Sequence, residues 1–441
     1  MAKAIVQFPK GFLWGTATAA HQVEGNNTNN NWSAWEKEPG RIMHGQSAGV
    51  ACDWWGGRWK EDLDRAAETG QNAHRFSVEW SRIQPEPGKW DENAIERYRT
   101  ILRGMHDRNL RPMVTLHHFT DPLWLVEMGG WENPETPAFF AKYVEKVVAS
   151  LKEYVTEWVT INEPNVYSYS GYVSGDFPPG KKDMGTAFSV MVNLVKGHAL
   201  AYHGIHNVQP EAKVGLAINY RSFYPASKSP LDIFVAKTQS AIFNDLFPKA
   251  AVDGKVRFLF KTVTIPEAKN TQDFIGLNYY TRDMVSFDIT KPNTLFGRSF
   301  YRPEAELSST GFIANEPDGF TEAIKWANRF GYPIYITENG VEDEKDTLRP
   351  KYLAYHIHKL WHMVNFNSNI KGYFHWSLVD NFEWERGWTQ RFGLWGLDTE
   401  TQQRIRRGSV DFYAEICRQN GLSSEMIEKY CPDAIQNIFP D

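Results

Sequence analysis

Two short stretches of the sequence end alike. Trp158–Asn165 reads WVTINEPN and Pro333–Gly340 reads PIYITENG. In each, an apolar, β-branched run of the kind that favours strands closes on a glutamate followed by a chain breaker. Pro164 disfavours helical geometry at Glu163, biasing it towards an extended conformation, and has no N–H to continue a ladder. Asn339 and Gly340 form a turn pair that releases the chain after Glu338. Both carboxyl groups are therefore expected at a strand end and not in mid-strand. Two carboxyl groups facing one pocket suit glycoside hydrolysis. One must be protonated to assist the leaving oxygen, and the other ionised to attack the anomeric carbon or activate water. Their surroundings must push the two pKa values apart. Arg75 is a candidate partner that keeps Glu338 charged, and that charge, with aromatic surroundings, would raise Glu163. Taken singly, either glutamate reads more simply as a strand-end residue paired with Arg or Lys. The pair, with Asn162 and Arg75, is what points to chemistry.

Elements spread along the whole chain must bring these residues together. Strand-like runs recur as GFLWGTATA, NAHRFSVEW, RPMVTLHHF, EWVTINEP, AKVGLAIN, DFIGLNYY, PIYITENG and IKGYFHWSL. Between them lie Asn93–Arg108, Thr136–Lys152, Thr186–Asn207, Leu231–Val252, Gly319–Phe330 and Pro350–Phe366, whose apolar residues recur at helical spacing. Strands alternating with helices imply a parallel sheet, and runs this apolar are expected where both faces are covered. Eight such units closing on themselves give an α/β fold, a (β/α)8 TIM barrel. It is expected as a single domain over residues 1–441 with long βα loops. The competing architecture, an open doubly wound sheet, is weakened because the first βα turn carries no G-x-G-x-x-G and no Walker loop occurs. In a barrel the strand ends converge on one opening. Here they offer Gln22, Arg75, His118, Asn162–Glu163, Asn219, Asn278–Tyr280, Glu338 and Trp376. Two long connections, Glu24–Arg58 and Ser286–Pro317, follow strand C-termini and are placed to wall a deep pocket.

Composition narrows the partners. Apolar residues make up 42% of the 441, enough for a large core. A net charge of −5, evenly spread, leaves no basic patch for nucleic acid. No uninterrupted apolar run reaches roughly 18 residues, so no membrane span is expected. The stretch before Pro9 has lysines but no apolar core and does not read as a secretion signal. Three cysteines, few and odd in number, suit a reducing compartment, and a cytoplasmic location is expected. The 17 tryptophans either fill the core or line a sugar pocket, where pyranose C–H faces pack flat on indole. His117 and His118 point to opposite faces of their strand and cannot easily hold one ion together. With no H-E-x-x-H and no close Cys/His pair, no metal is expected. One of the two histidines is expected to bond a sugar hydroxyl, the other to be packed or capped.

The segments FLWGTATAAHQVEG, HRFSVEWSRIQP, TLHHF, TINEPN, IGLNYY, ITENG and HWSLVDNFEWERGWTQRFGL run in this order over nearly the whole chain. Together they resemble the family 1 glycoside hydrolases, retaining β-glucosidases and β-galactosidases of (β/α)8 fold. The resemblance implies Glu163 as general acid/base and Glu338 as the nucleophile that forms a glycosyl-enzyme. It implies Asn162 on the 2-hydroxyl, and Arg75, Asn278 and Tyr280 positioning Glu338. Gln22, His118 and Glu383 would bond the glycone hydroxyls, with Trp376 as the floor under the ring and Trp384 donating to it. Glu383 would repel a phosphate, so unphosphorylated glycones are implied. The expected substrate is a small β-glycoside: terminal β-D-glucosides, with galactosides and fucosides beside them. No organic cofactor is implied, and the sequence carries no basis for an oligomer. A transglycosylase on the same chemistry and a non-catalytic sugar-binding protein of this fold are the competing readings, and relatives of the second kind typically lose one glutamate. The run HHFTDP departs from the family, which usually has an aromatic at the position of His117 and Trp at that of Phe119, so one glycone contact differs here.

Overall fold

All eight expected strands form in a computed structural model of the protein, which describes residues 4–366 and 368–440. They are β1 (Leu13–Ala17), β2 (Ala73–Ser77), β3 (Arg111–His117), β4 (Glu157–Asn162), β5 (Lys213–Asn219), β6 (Phe274–Tyr279), β7 (Ile334–Asn339) and β8 (Ile370–Trp376). Each pairs in parallel with its neighbours in chain order and β8 pairs with β1, so the sheet closes into a (β/α)8 barrel. Every residue of β4, β6 and β7 is buried, as strands covered on both faces must be.

The covering helices are α1 (Trp59–Glu68), α2 (Glu92–His106), α3 (Thr136–Leu151), α4 (Met184–Val208), α5 (Pro230–Phe243), α6 (Leu246–Asp253), α7 (Pro317–Asn328), α8 (Arg349–Asn365) and α9 (Gly408–Gln419). Their pattern is sequence-driven. In α2, Ala94, Ile95, Tyr98, Ile101, Leu102 and Met105 recur on one face and are buried. Asp91 caps that helix by accepting from the N–H groups of Asn93 and Ala94, and Asp183 caps α4 through Thr186 N–H at 2.6 Å. Proline stands in the first turn of α3, α5, α7 and α8, where its missing N–H is not needed.

Two stretches differ from the sequence expectation. Leu231–Val252, expected as one helix, is α5 and α6. Pro248 cannot sit in a helix interior and is accommodated only because a new helix starts at Leu246. At the break, Asn244 clamps Arg221, accepting from its N–H at 3.0 Å and donating to its carbonyl at 2.8 Å. The Ser286–Pro317 connection is not featureless. Its strand Gly297–Phe300 pairs antiparallel with Arg282–Phe287, which pairs in parallel with Ser222–Pro225, so a three-stranded sheet stands outside the barrel. The other long connection folds back on the barrel mouth, with the N–H groups of Cys52 and Trp54 both donating to Val23 O.

Just past Glu338 the ends of β7 and β8 approach closely. A Cβ on Gly340 would lie 2.0 Å from the carbonyl oxygen of Trp376, so only glycine lets Glu338 and Trp376 share one wall. Among the described residues, no helix is long and apolar enough to cross a membrane.

Candidate active site

The C-terminal ends of the strands surround a cavity of about 470 Å³. Glu163, Glu338, His118, Tyr280, Trp376, Glu383 and Trp384 all line it, whereas Arg75, Asn162 and Asn278 stand fully buried behind them. The expected residues are thus brought to one place.

Glu338 lies in β7, one residue from its end, with both oxygens engaged. Arg75 Nη1 donates to Oε1 at 2.5 Å and the Tyr280 hydroxyl donates to Oε2 at 2.6 Å. Arg75 is itself fixed from the side, Nε donating to Thr115 Oγ1 at 3.2 Å and Nη2 to Asn162 Oδ1 at 2.6 Å. Burial pushes the Glu338 carboxyl above its usual range, and Arg75 followed by Tyr280 oppose that push without cancelling it. These are donors to the charged form, and they favour the ionised oxygen pair that a nucleophile needs.

Glu163 follows β4, and here the expected extended geometry is wrong. Its backbone is left-handed, φ 44° and ψ 56°. The chain must reverse from β4 into the short helix Pro164–Tyr169, and it is pinned on both sides of the residue. Glu163 N–H donates to Ala217 O in β5 at 2.7 Å, and its carbonyl accepts from Tyr167 N–H at 2.9 Å. A non-glycine residue in this region costs on the order of 1–3 kcal/mol, which the surrounding bonds must hold. The local preference set by Pro164 loses to tertiary pairing.

The side chain of Glu163 is held by amides alone. Asn219 Nδ2 donates to Oε1 at 2.9 Å and Asn278 Nδ2 donates to the same oxygen at 2.8 Å. With two donors on Oε1, a proton sits on Oε2. Burial, then the charge of Glu338, pushes the carboxyl up to about 8, against the pull of the two amides. Asn278 was expected to position Glu338, and its amide does help to hold the charged form of that carboxyl; its nearest hydrogen bonds run to Glu163 and, at 3.2 Å, to Asn162 Oδ1. In register it pairs with Glu338 on β7, and from β6 its side chain also reaches past β5 to the carboxyl at the end of β4. Asn219, a strand-end residue with no assigned role, and Thr337, whose hydroxyl donates to Asn278 Oδ1 at 2.6 Å, complete the cradle. Nothing in the local sequence marks Thr337 for this, since a threonine inside a strand is an ordinary β-former.

Asn219 offers a direct check. Asn219→Ala removes one donor to ionised Glu163, so the alkaline limb of kcat/KM is expected to move up by about half a pH unit to one. The measurement is the pH profile with an alkyl β-glucoside, whose departure needs the proton of Glu163. An unmoved or lowered limb would separate Asn219 from Glu163.

The remaining contacts define hydrogen-bonding roles. Asn162 Oδ1 is occupied by Arg75 and Asn278, so its Nδ2 faces His118 Nε2 at 3.0 Å. His118 Nε2 therefore accepts and Nδ1 carries the proton. That Nδ1 is buried with no partner among the described residues. Burial and Arg75 hold the ring well below the usual histidine range, so it is neutral. Gln22 spends its amide nitrogen on Phe382 O at 2.7 Å and Glu383 Oε2 at 3.1 Å, leaving a buried Oε1 with no partner among the described residues. Gln22 sits in a short helix after β1 and not at the strand end itself. A buried N–H and a buried C=O left in this state are what hydroxyl groups satisfy. The rings of Trp376 and Trp384 each stack with that of His118, at 6.1 and 5.9 Å. Phe119 packs edge-on against Trp384 at 5.1 Å and keeps the wall apolar. His117, facing outward, is capped by Asp121 at 2.9 Å.

A family model, "Glycosyl hydrolase family 1", matches residues 5–422. The chain belongs to this family. It is 32% identical to a 1,4-beta-D-glucan glucohydrolase of Thermotoga neapolitana over 95% of this chain and 99% of that one. It is 30% identical to a beta-galactosidase of Pyrococcus woesei over 96% and 99% of the two chains. The solved beta-glycosidase from Pyrococcus horikoshii superposes with a TM-score of 0.90 at 37% identity, covering 97% of this chain and 98% of that one. The protein is accordingly a family 1 enzyme of β-glucosidase type that hydrolyses O-glycosyl bonds. Burial, then Glu385 and Glu338, pushes the Glu383 carboxyl well above the usual carboxylate range.

Proposed function

We propose that this enzyme is a retaining β-glycosidase that removes terminal, non-reducing β-D-glucosyl residues, and β-D-galactosyl and β-D-fucosyl residues with them. The reaction runs by double displacement. One observation carries the reading: donors to the charged form hold both oxygens of Glu338, while Glu163, facing the same cavity, is pushed up to about 8. At neutral pH Glu163 gives its proton to the glycosidic oxygen as a Glu338 oxygen attacks the anomeric carbon. Esterification then removes the charge of Glu338, one of the causes that raised Glu163. Its pKa falls, and the same residue becomes the base that takes a proton from water.

Gln22 Oε1, His118 Nδ1–H and the Glu383 carboxyl supply glycone partners, and Trp376 with Trp384 the apolar surface. The preference for an unphosphorylated sugar rests on the cations of the cavity wall as well as on Glu383. The arginines on the cavity wall are already paired, Arg221 with Asp283 at 2.5 Å and Arg386 with Glu385 at 3.1 Å, so a phosphate meets no spare guanidinium. The three cysteines are free and buried, which supports a reducing, cytoplasmic setting.

The test is a panel of aryl glycosides with the product anomer followed by NMR. The β-glucoside is expected to turn over and release the β-sugar first. The α-glucoside and the 6-phospho-β-glucoside are expected to fall at least about 100-fold below it. A first-formed α-sugar would overturn retention.

A further inference from the structure

We propose that His358 and His362 form a site for one divalent late transition-metal ion, Zn2+ or Cu2+, apart from the catalytic cavity. Neither residue lines that cavity, and the reaction proposed above uses neither.

Both histidines lie in α8, at the two ends of the segment HKLWH. A separation of four residues puts two side chains on one helix face, and it is the separation at which paired histidines on a helix hold zinc. Here the side chains meet. Their Nε2 atoms are 3.2 Å apart and the ring planes stand at 68° to each other. An ion about 2.0–2.1 Å from each nitrogen, with angles from square-planar to tetrahedral, spaces the two nitrogens by about 2.9–3.4 Å. The pair already stands at that spacing. Without an ion, the same two atoms share one N–H···N hydrogen bond, so one ring carries its proton on Nε2. When an ion binds, that ring carries the proton on Nδ1 instead, and both Nε2 lone pairs face the metal.

The surroundings favour this use of the pair. The His358 ring lies within 9° of parallel to Trp361 and the His362 ring within 16° of parallel to Phe366. Trp361 is itself anchored, its indole N–H donating to Gln7 O at 3.1 Å. Lys359, the adjacent cation, is drawn off to Asp318 of α7 at 2.8 Å. Among the described residues no third histidine, cysteine or carboxylate joins the pair. Both histidines are only half-buried, so water reaches the ion and completes its shell.

The experiment titrates the untagged enzyme with ZnCl2 by calorimetry, at neutral pH in a non-coordinating buffer. One Zn2+ per chain is expected to bind with a Kd on the order of 10–100 µM, since the site has half the protein ligands of a structural zinc site. His358→Gln and His362→Gln are each expected to weaken binding at least about tenfold, with unchanged aryl β-glucoside turnover marking an intact fold. A second readout needs no variant. Cu2+ bound to the parent enzyme is expected to show two imidazole nitrogens in its electron spin-echo modulation. The site would be overturned by a titration without saturable binding, by binding of the same strength in both variants, or by a Cu2+ signal without paired imidazoles.

Discussion

Glu338→Ala is expected to lower hydrolysis of an aryl β-glucoside on the order of 10⁵-fold, and azide to restore turnover with the α-glucosyl azide as product. The loss is this large because the variant removes the atom that forms the covalent bond while leaving the acid and the sugar contacts in place. The rescue has a stereochemical and an electrostatic side. Truncation opens space on the face from which Glu338 attacked, so an anion entering there inverts the anomeric centre once. It also meets Arg75 and Tyr280, whose donors have lost their acceptor. An uncompensated buried charge costs about 3–5 kcal/mol, so the variant is expected to unfold at a lower temperature and azide to raise that temperature again. Glu338→Gln supplies the control. It keeps the volume, lacks the nucleophile and leaves no room for azide, so it is expected to be inactive with or without it. A β-glucosyl azide from Glu338→Ala, or rescue of the Gln variant, would remove Glu338 from the nucleophile's position.

Much of this site is legible in the sequence because a barrel converts strand order into proximity. Runs such as PIYITENG have a period and a stop that need no tertiary information, and eight of them in alternation with amphipathic helices leave one closed topology. Once closed, their C-terminal ends meet, which is why Arg75 and Glu338 pair although they come from β2 and β7. What stays hidden are details decided by cross-strand reach. Asn278 is a neighbour of Glu338 by register and helps to hold its charge, yet its amide also extends to Glu163. Pro164 argues for an extended Glu163, yet two backbone bonds hold it left-handed. Leu231–Val252 has helical periodicity throughout, and only the Asn244 clamp and Pro248 show where it divides. In each case a local preference worth about 1 kcal/mol yields to contacts from elsewhere in the fold, and those contacts are not written in the local window.

Glu163→Ala is expected to separate substrates by their leaving groups. With an alkyl or sugar aglycone, glycosylation is expected to slow by roughly 10²- to 10⁴-fold, the usual contribution of a positioned acid. With a dinitrophenyl aglycone, which departs without a proton, that step is expected to change only a few-fold, and slow hydrolysis of the glycosyl-enzyme then limits turnover. Azide accelerates this second step and gives the β-glucosyl azide, the opposite anomer to that from Glu338→Ala, because it replaces the base on the other face. The pH profile supplies a second signature. The active form of Glu163 is protonated, and burial with the charge of Glu338 lifts its pKa to about 8. Activity of the parent enzyme is therefore present below that value and lost as pH rises through it. In Glu163→Ala the alkaline limb disappears for the dinitrophenyl substrate, while the acidic limb, set by protonation of Glu338, stays. Asn219 and Asn278 remain in place in this variant, so the fold around Arg75 and Glu338 is undisturbed and the two limbs report on different carboxyl groups. Equal losses for both classes of leaving group, with an unchanged alkaline limb, would mean that the proton comes from another residue.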